Sequence, residues 1–96
     1  MHVISRKRLR EFWATHPDAR SPLEQWFRVA KRADWSEFSE VRAVFRAADQ
    51  VGDYTVFNIG GNKYRLIAEV NYKRGKVFVR HVLSHADYSR GTWKKK

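Results

Sequence analysis

An α+β fold, with N-terminal helices packed on a small antiparallel β-sheet, follows from three features of this sequence. Apolar residues recur roughly every 3.6 positions before Tyr54 and alternate after it, which is the change from helix to strand periodicity. Two turn signals, "GGN" and "KRG", divide the alternating part into successive strands. Hydrophobic residues make up 43% of the 96 positions and aromatic residues 15%, enough for one core and too little for two. Residues 1–96 therefore read as a single domain.

Along the chain, "HVIS" reads as a short opening strand. Ser5 then caps a helix with Leu9, Phe12 and Trp13 on one face, and His16-Pro17 ends it, because a residue before proline is pushed out of the helical region. In "SPLEQWFRVAKRAD", Ser21 is the expected N-cap, Pro22 the first helical residue and Glu24 the returning arm of a capping box. Leu23, Trp26, Phe27 and Ala30 form its buried stripe. A third helix starts after Ser36 or Ser39 and carries Val41, Val44, Phe45 and Ala48 at the same spacing. These stripes read as core rather than as cofactor contacts. The segments "YTVFNI", "KYRLIAEVNY" and "KVFVRHVL" then form an antiparallel meander. In the middle strand, Tyr64, Leu66, Ala68, Val70 and Tyr72 face the helices, while Lys63, Arg65, Ile67, Glu69 and Asn71 face away. The closing "WKKK", residues 93–96, reads as a flexible, solvated basic tail.

The chain has no cysteine, which excludes a disulfide framework and thiolate metal ligands. "MHVISRKRLREF" holds no apolar stretch long enough for a signal peptide, and no run approaches the roughly 20 residues of a membrane span. The expected place of action is the cytoplasm. Net charge is +10, unevenly distributed: residues 1–53 hold ten Lys and Arg against eight Asp and Glu, and residues 54–96 hold ten against two, Glu69 and Asp87. A basic half of this kind calls for a polyanion, with nucleic acid ahead of an anionic membrane.

The candidate chemistry lies where two segments meet. "VFVRHVLSHADY" supplies Arg80, His81, His85, Asp87 and Tyr88 within nine residues. If the "KRG" turn pairs residue 72 with about 76, antiparallel counting sets Arg65 and Lys63 opposite about residues 83 and 85. His85 and Tyr88 then emerge beside the two cations. RNA cleavage through the ribose 2′-hydroxyl needs a base for that proton, an acid for the leaving 5′-oxygen and cations for the phosphate, and no metal or other cofactor. Arg65 and Arg80 offer planar forks to phosphate oxygens and Lys63 a point charge. Asn62, Lys73, Arg74, Lys76, Lys94 and Lys95 extend the basic surface as candidate RNA contacts. Other residues have plainer roles: His81 alternates with Val79 and Leu83 and reads as a packing histidine, Asp87 caps the following turn, and Gly60-Gly61 is a hairpin turn. Tyr88 serves either proton transfer or cover for the sheet edge. His2 and His16 lie apart, without the spacing of a zinc site.

The strings "VISRKRLREFW", "VFNIGGNKYRL" and "VFVRHVLSHADY" resemble the HigB family over nearly the whole chain. HigB proteins are type II toxins of the RelE-like superfamily. The resemblance implies a RelE-like fold, cleavage of mRNA on the ribosome, and neutralisation by a HigA antitoxin with a helix-turn-helix fold, through which alone the complex would bind DNA. It implies as catalytic residues Lys63, Arg65, Arg80, His85 and Tyr88, with Ser84 standing where the "THxxY"-like ending has Thr. The rival from another class is a basic RNA-binding module without catalysis, and "SHADY" separates the two, because binding does not require a titrating His beside a Tyr. Direct DNA binding is disfavoured, since no helix carries a basic face suited to the major groove.

Overall fold

The computed structural model describes residues 1–94. Strand β1 (His2–Ile4) leads into α1 (Arg6–Thr15), a 3-10 turn at Pro17–Ala19, α2 (Arg20–Arg32) and α3 (Phe38–Val44). Strands β2 (Asp49–Val51), β3 (Tyr54–Ile59), β4 (Tyr64–Asn71) and β5 (Lys76–Ser84) follow, then α4 (His85–Arg90) and a second 3-10 turn at Thr92–Lys94. The five strands form one sheet in the order β1-β5-β4-β3-β2. The expected antiparallel meander is there as β3-β4-β5, and β1 joins β5 in parallel, so the sheet is mixed.

The helices begin differently from the sequence reading. Pro17 opens a 3-10 turn whose end runs straight into α2, with Arg20 already helical at φ −59° and ψ −54°. Ser21 therefore lies inside the helix and caps nothing, and Glu24 pairs with Arg20 at 2.9 Å instead of closing a capping box. Pro22 is tolerated because the first-turn N–H groups have no helical partner in any case. The capping box belongs to α3, where Glu37 and Glu40 satisfy each other's backbone N–H groups and neither Ser36 nor Ser39 is the cap. That helix stops at Val44, which is 55% exposed, so Val44 does not join the expected stripe.

Helices α1, α2 and α3 cover one sheet face with a core that includes Leu9, Leu23, Trp26, Val41, Phe57 and Leu66. The other face has a smaller core of Val56, Ile67 and Trp93, flanked by Tyr54, Leu83 and Tyr88. Residues 64–68 of β4 are consequently buried without a break. Trp93 and Lys94 depart from the tail reading: Gly91 takes φ +72°, the chain turns back, and the Trp93 indole is left only 5% exposed. Lys95 lies outside the described residues.

The β4–β5 register contains a compensation. The turn closes one residue sooner than expected, pairing Asn71 with Lys76, and a bulge then inserts Arg80 between the pairs Ala68–Val79 and Ile67–His81. Beyond it Arg65 faces Leu83, as counted from sequence. The bulge also breaks the alternation: Val79 stays on the helix side opposite Ala68, whereas His81 moves to the side of Ile67.

Leu66 is fully buried at the centre of the helix-facing core. Leu66→Ala should cost about 2–5 kcal/mol in urea unfolding with little change in m-value. A loss below about 1 kcal/mol, the level of a modest repacking, would contradict the placement of β4 at the centre of the fold.

Candidate active site

The turn at Gly60-Gly61, with φ of +62° and +70°, brings Asn62 and Lys63 to the start of β4. At the other strand's exit, the Ser84 hydroxyl accepts from Asp87 N–H at 3.2 Å and starts α4. Asp87 does not cap the turn itself: its carboxylate lies 3.4 Å from Arg90. Pairing continues one step past the strands, because His85 N–H donates to Lys63 O at 2.9 Å. His85 is thus set beside Lys63, and Tyr88, three residues on, returns on the same helix side. The Arg65 guanidinium carbon lies 5.4 Å from the Tyr88 ring centroid. Lys63, Arg65, His85 and Tyr88 are therefore brought to one end of the sheet.

Arg65 is only 8% exposed, unusual for a cation. Its Nη1 donates to Tyr64 O at 3.1 Å and its Nη2 to Asn62 Oδ1. Among the described residues no carboxylate forms an ion pair with it. Tyr88 is held in turn by Trp93, whose ring stacks at 5.3 Å and 15° and whose Nε1 donates to Tyr88 O at 3.0 Å. Trp93 meets Tyr54 edge-on at 5.6 Å. Arg65, Tyr88 and Trp93 form a stack fastened to the sheet.

Lys63 is fastened by Asp18, which sequence reading did not single out. Its Nζ lies 2.6 Å from Asp18 Oδ2, and the Tyr64 hydroxyl donates to Asp18 Oδ1. The hydrogen bond from Lys63, and next that from Tyr64, holds the Asp18 carboxyl below its ordinary range. The same contacts raise Lys63 and Tyr64. Lys63 and Asp18 both reach solvent, so the ion pair orients Lys63 more than it stabilises the fold.

The remaining candidates lie elsewhere. Arg80 sits at the bulge, roughly 10 Å along β5 from the level of Arg65, with its Nε 2.9 Å from Glu69 and its guanidinium 5.0 Å from the Phe78 ring centroid. It flanks the cluster without joining it. Lys73 and Arg74, in the β4–β5 turn, and Lys76, at the start of β5, lie at the opposite end of β4, roughly 25 Å away. Lys94 lies over Trp93 at 5.6 Å. Asn62 does belong to the cluster, through Arg65. Among the described residues no group of three or more His, Cys, Asp or Glu is placed to hold a metal ion. The signal for Trp93 was present in "RGTW", a glycine helix stop followed by an apolar residue. Asp18 left no local signal, since it contacts residues 45 and 46 positions away.

Residues 19–91 match the HigB toxin family, described as the RelE-like toxic component of a toxin–antitoxin system. The chain is 33% identical over 95 residues to an mRNA interferase HigB of Escherichia coli O6:H1 (strain CFT073), covering 96% of this chain and 92% of that one. It is 28% identical over 91 residues to the mRNA interferase toxin HigB of Escherichia coli K12, covering 92% and 88%.

Two outcomes test this geometry. A carboxyl whose folded pKa is depressed stabilises the fold above its unfolded pKa and loses that contribution as pH falls towards the folded value. The wild type should therefore be more stable than Asp18→Asn near neutral pH, and the gap should close below about pH 4; a pH-independent gap would show that Asp18 titrates as it does in the unfolded chain. Trp93→Ala should cost about 3–5 kcal/mol and speed hydrogen exchange across residues 85–90 more than in β4. Unchanged protection of those amides would mean that α4 does not depend on Trp93.

Proposed function

The chain belongs to the HigB family of RelE-like toxic components of toxin–antitoxin systems, and from that premise we propose that it is an endoribonuclease that cleaves mRNA on the ribosome and so stops translation. The observation that carries this reading is the convergence of Lys63, Arg65, His85 and Tyr88 on one end of the sheet. In the proposed reaction the ribose 2′-oxygen attacks the adjacent phosphorus, and the bond to the 5′-oxygen breaks. The 2′-hydroxyl proton leaves to a base and the 5′-oxygen gains a proton from an acid, giving a 2′,3′-cyclic phosphate and a 5′-hydroxyl.

His85 and Tyr88 supply the two proton-transfer groups, and Arg65 with Lys63 stabilises the charge that develops on the phosphate oxygens. Arg65 is already oriented by Asn62, Tyr64 and Tyr88, so it reorganises little as the phosphate arrives. No step calls for a metal. Arg80 contacts the RNA backbone beyond the reacting phosphate. The binding-only alternative has less support, because it leaves the pairing of His85 with Tyr88 on one side of α4 without a purpose and the named relatives are interferases. The proposed partner is a helix-turn-helix antitoxin of the HigA kind, acidic where it meets residues 54–94, through which the pair would reach DNA.

Expressed alone in a bacterial host, the protein should arrest growth and deplete translated mRNAs, and co-expression of the adjacent antitoxin gene should restore growth. In single-turnover cleavage on programmed ribosomes, His85→Gln and Tyr88→Phe should each lower the rate by about 10²–10⁴-fold while ribosome binding persists. Treating the toxin alone with EDTA and removing the chelator before it meets the ribosomes should change neither quantity. Full cleavage by both variants would remove the proton-transfer assignment, and loss of activity after that treatment, restored by a specific metal, would replace the metal-independent route.

A further inference from the structure

Strand β1 pairs with residues 76–78 of β5 and ends there, so the rest of β5 lies open beside α1. Between α1 and this open part runs a cleft of about 310 Å³. Phe12 and Val82, both packed on the main core, give it an apolar floor. Arg8 from α1 and Arg80 from β5 flank His81. Leu83, which also lines it, is the register partner of Arg65, so that part of the cleft lies level with the candidate active site.

Two features of this cleft bear on what it could hold. First, both guanidinium charges act on the half-buried His81 imidazole: burial first, then Arg8 and Arg80, lowers its pKa and keeps it neutral at neutral pH. Two guanidinium groups gathered beside a neutral ring favour an anion there over a further cation. Second, the bulge makes Arg80 the unpaired residue and carries His81 to the face of Ile67, and bulges of this sort re-aim side chains beside functional sites. Glu69 engages only the Arg80 Nε, and Arg8 forms no ion pair among the described residues. Glu11 also lines the cleft, so attraction there comes from forked donors on Arg8 and Arg80 more than from net charge.

We infer that this cleft is a second anion subsite, in which Arg8, Arg80 and His81 hold the backbone phosphate of a nucleotide neighbouring the one cleaved. The subsite rests on the reading of the chain as an mRNA-cleaving toxin. Arg80 lies roughly 10 Å from the level of Arg65, within reach of a neighbouring nucleotide of the same strand. Neutral His81 adds an N–H donor without a third charge to bury.

The test uses the intact toxin on programmed ribosomes, with mRNA carrying either native phosphates or a neutral methylphosphonate at one linkage beside the cut, each side in turn. Arg8→Ala should raise KM and make its salt dependence shallower by about one unit of slope, and Arg8→Lys should restore the slope. Neutralising the correct linkage should raise KM for the wild type and have little further effect on Arg8→Ala, because both changes remove one contact. Wild-type KM and slope in Arg8→Ala would overturn the subsite. Additive effects at both linkages would also overturn it, by moving the Arg8 contact to ribosomal RNA. If the wild type itself failed to cut mRNA, the proposed function would fall first, and that result is distinguishable from either of these.

Discussion

Arg65, held at 8% exposure with no ion pair to a carboxylate among the described residues, is the constraint on which the candidate site depends. Taking such a cation out of water costs several kcal/mol unless hydrogen bonds and a polarisable neighbour compensate. The chain compensates Arg65 with a backbone carbonyl at Tyr64, the Asn62 amide oxygen and the face of Tyr88. None of these is an anion, so part of its charge is left uncompensated, at the place where an RNA phosphate would supply it. An ion pair to a carboxylate would have been a cheaper way to bury Arg65, and it would have competed with substrate.

The Tyr88 ring must be brought to Arg65 by a helix of only six residues, too short to be stable alone. Three local devices hold it: the Ser84 cap, the Gly91 turn and the packing of Trp93 against Val56 and Ile67. The second, smaller core thus has a functional consequence, since it fixes α4 on the face of the sheet away from α1 to α3. Stability of that core and geometry of the site are coupled through one side chain, Trp93, which donates to Tyr88 O and stacks on its ring.

Much of this was legible in the sequence because strand periodicity and turn position fix register over short distances. Alternation placed Arg65 away from the helices, and the count from the "KRG" turn put it opposite Leu83. That count succeeded through two offsetting departures, an earlier turn closure and the bulge at Arg80. A bulge leaves no reliable composition signal, which is why the faces of Val79 and His81 could not be separated by counting. The start of α2 was misplaced because Pro22 satisfies a first-turn position two residues beyond the start as readily as the first. Contacts between distant segments were invisible in principle: nothing near Asp18 indicates that it meets Lys63 and Tyr64. Family resemblance supplied the kind of chemistry, and the structure shows which of the candidate residues meet.

The most direct test of Arg65 as the organising cation is NMR of the toxin titrated with a short RNA made non-cleavable by a 2′-deoxy sugar at the cut. Guanidinium resonances of Arg65 should shift in step with the ring signals of His85 and Tyr88, while amides of the 73–76 turn stay in place. Shifts confined to that turn, with Arg65 unmoved at saturation, would contradict the account and place the RNA at the other end of the sheet.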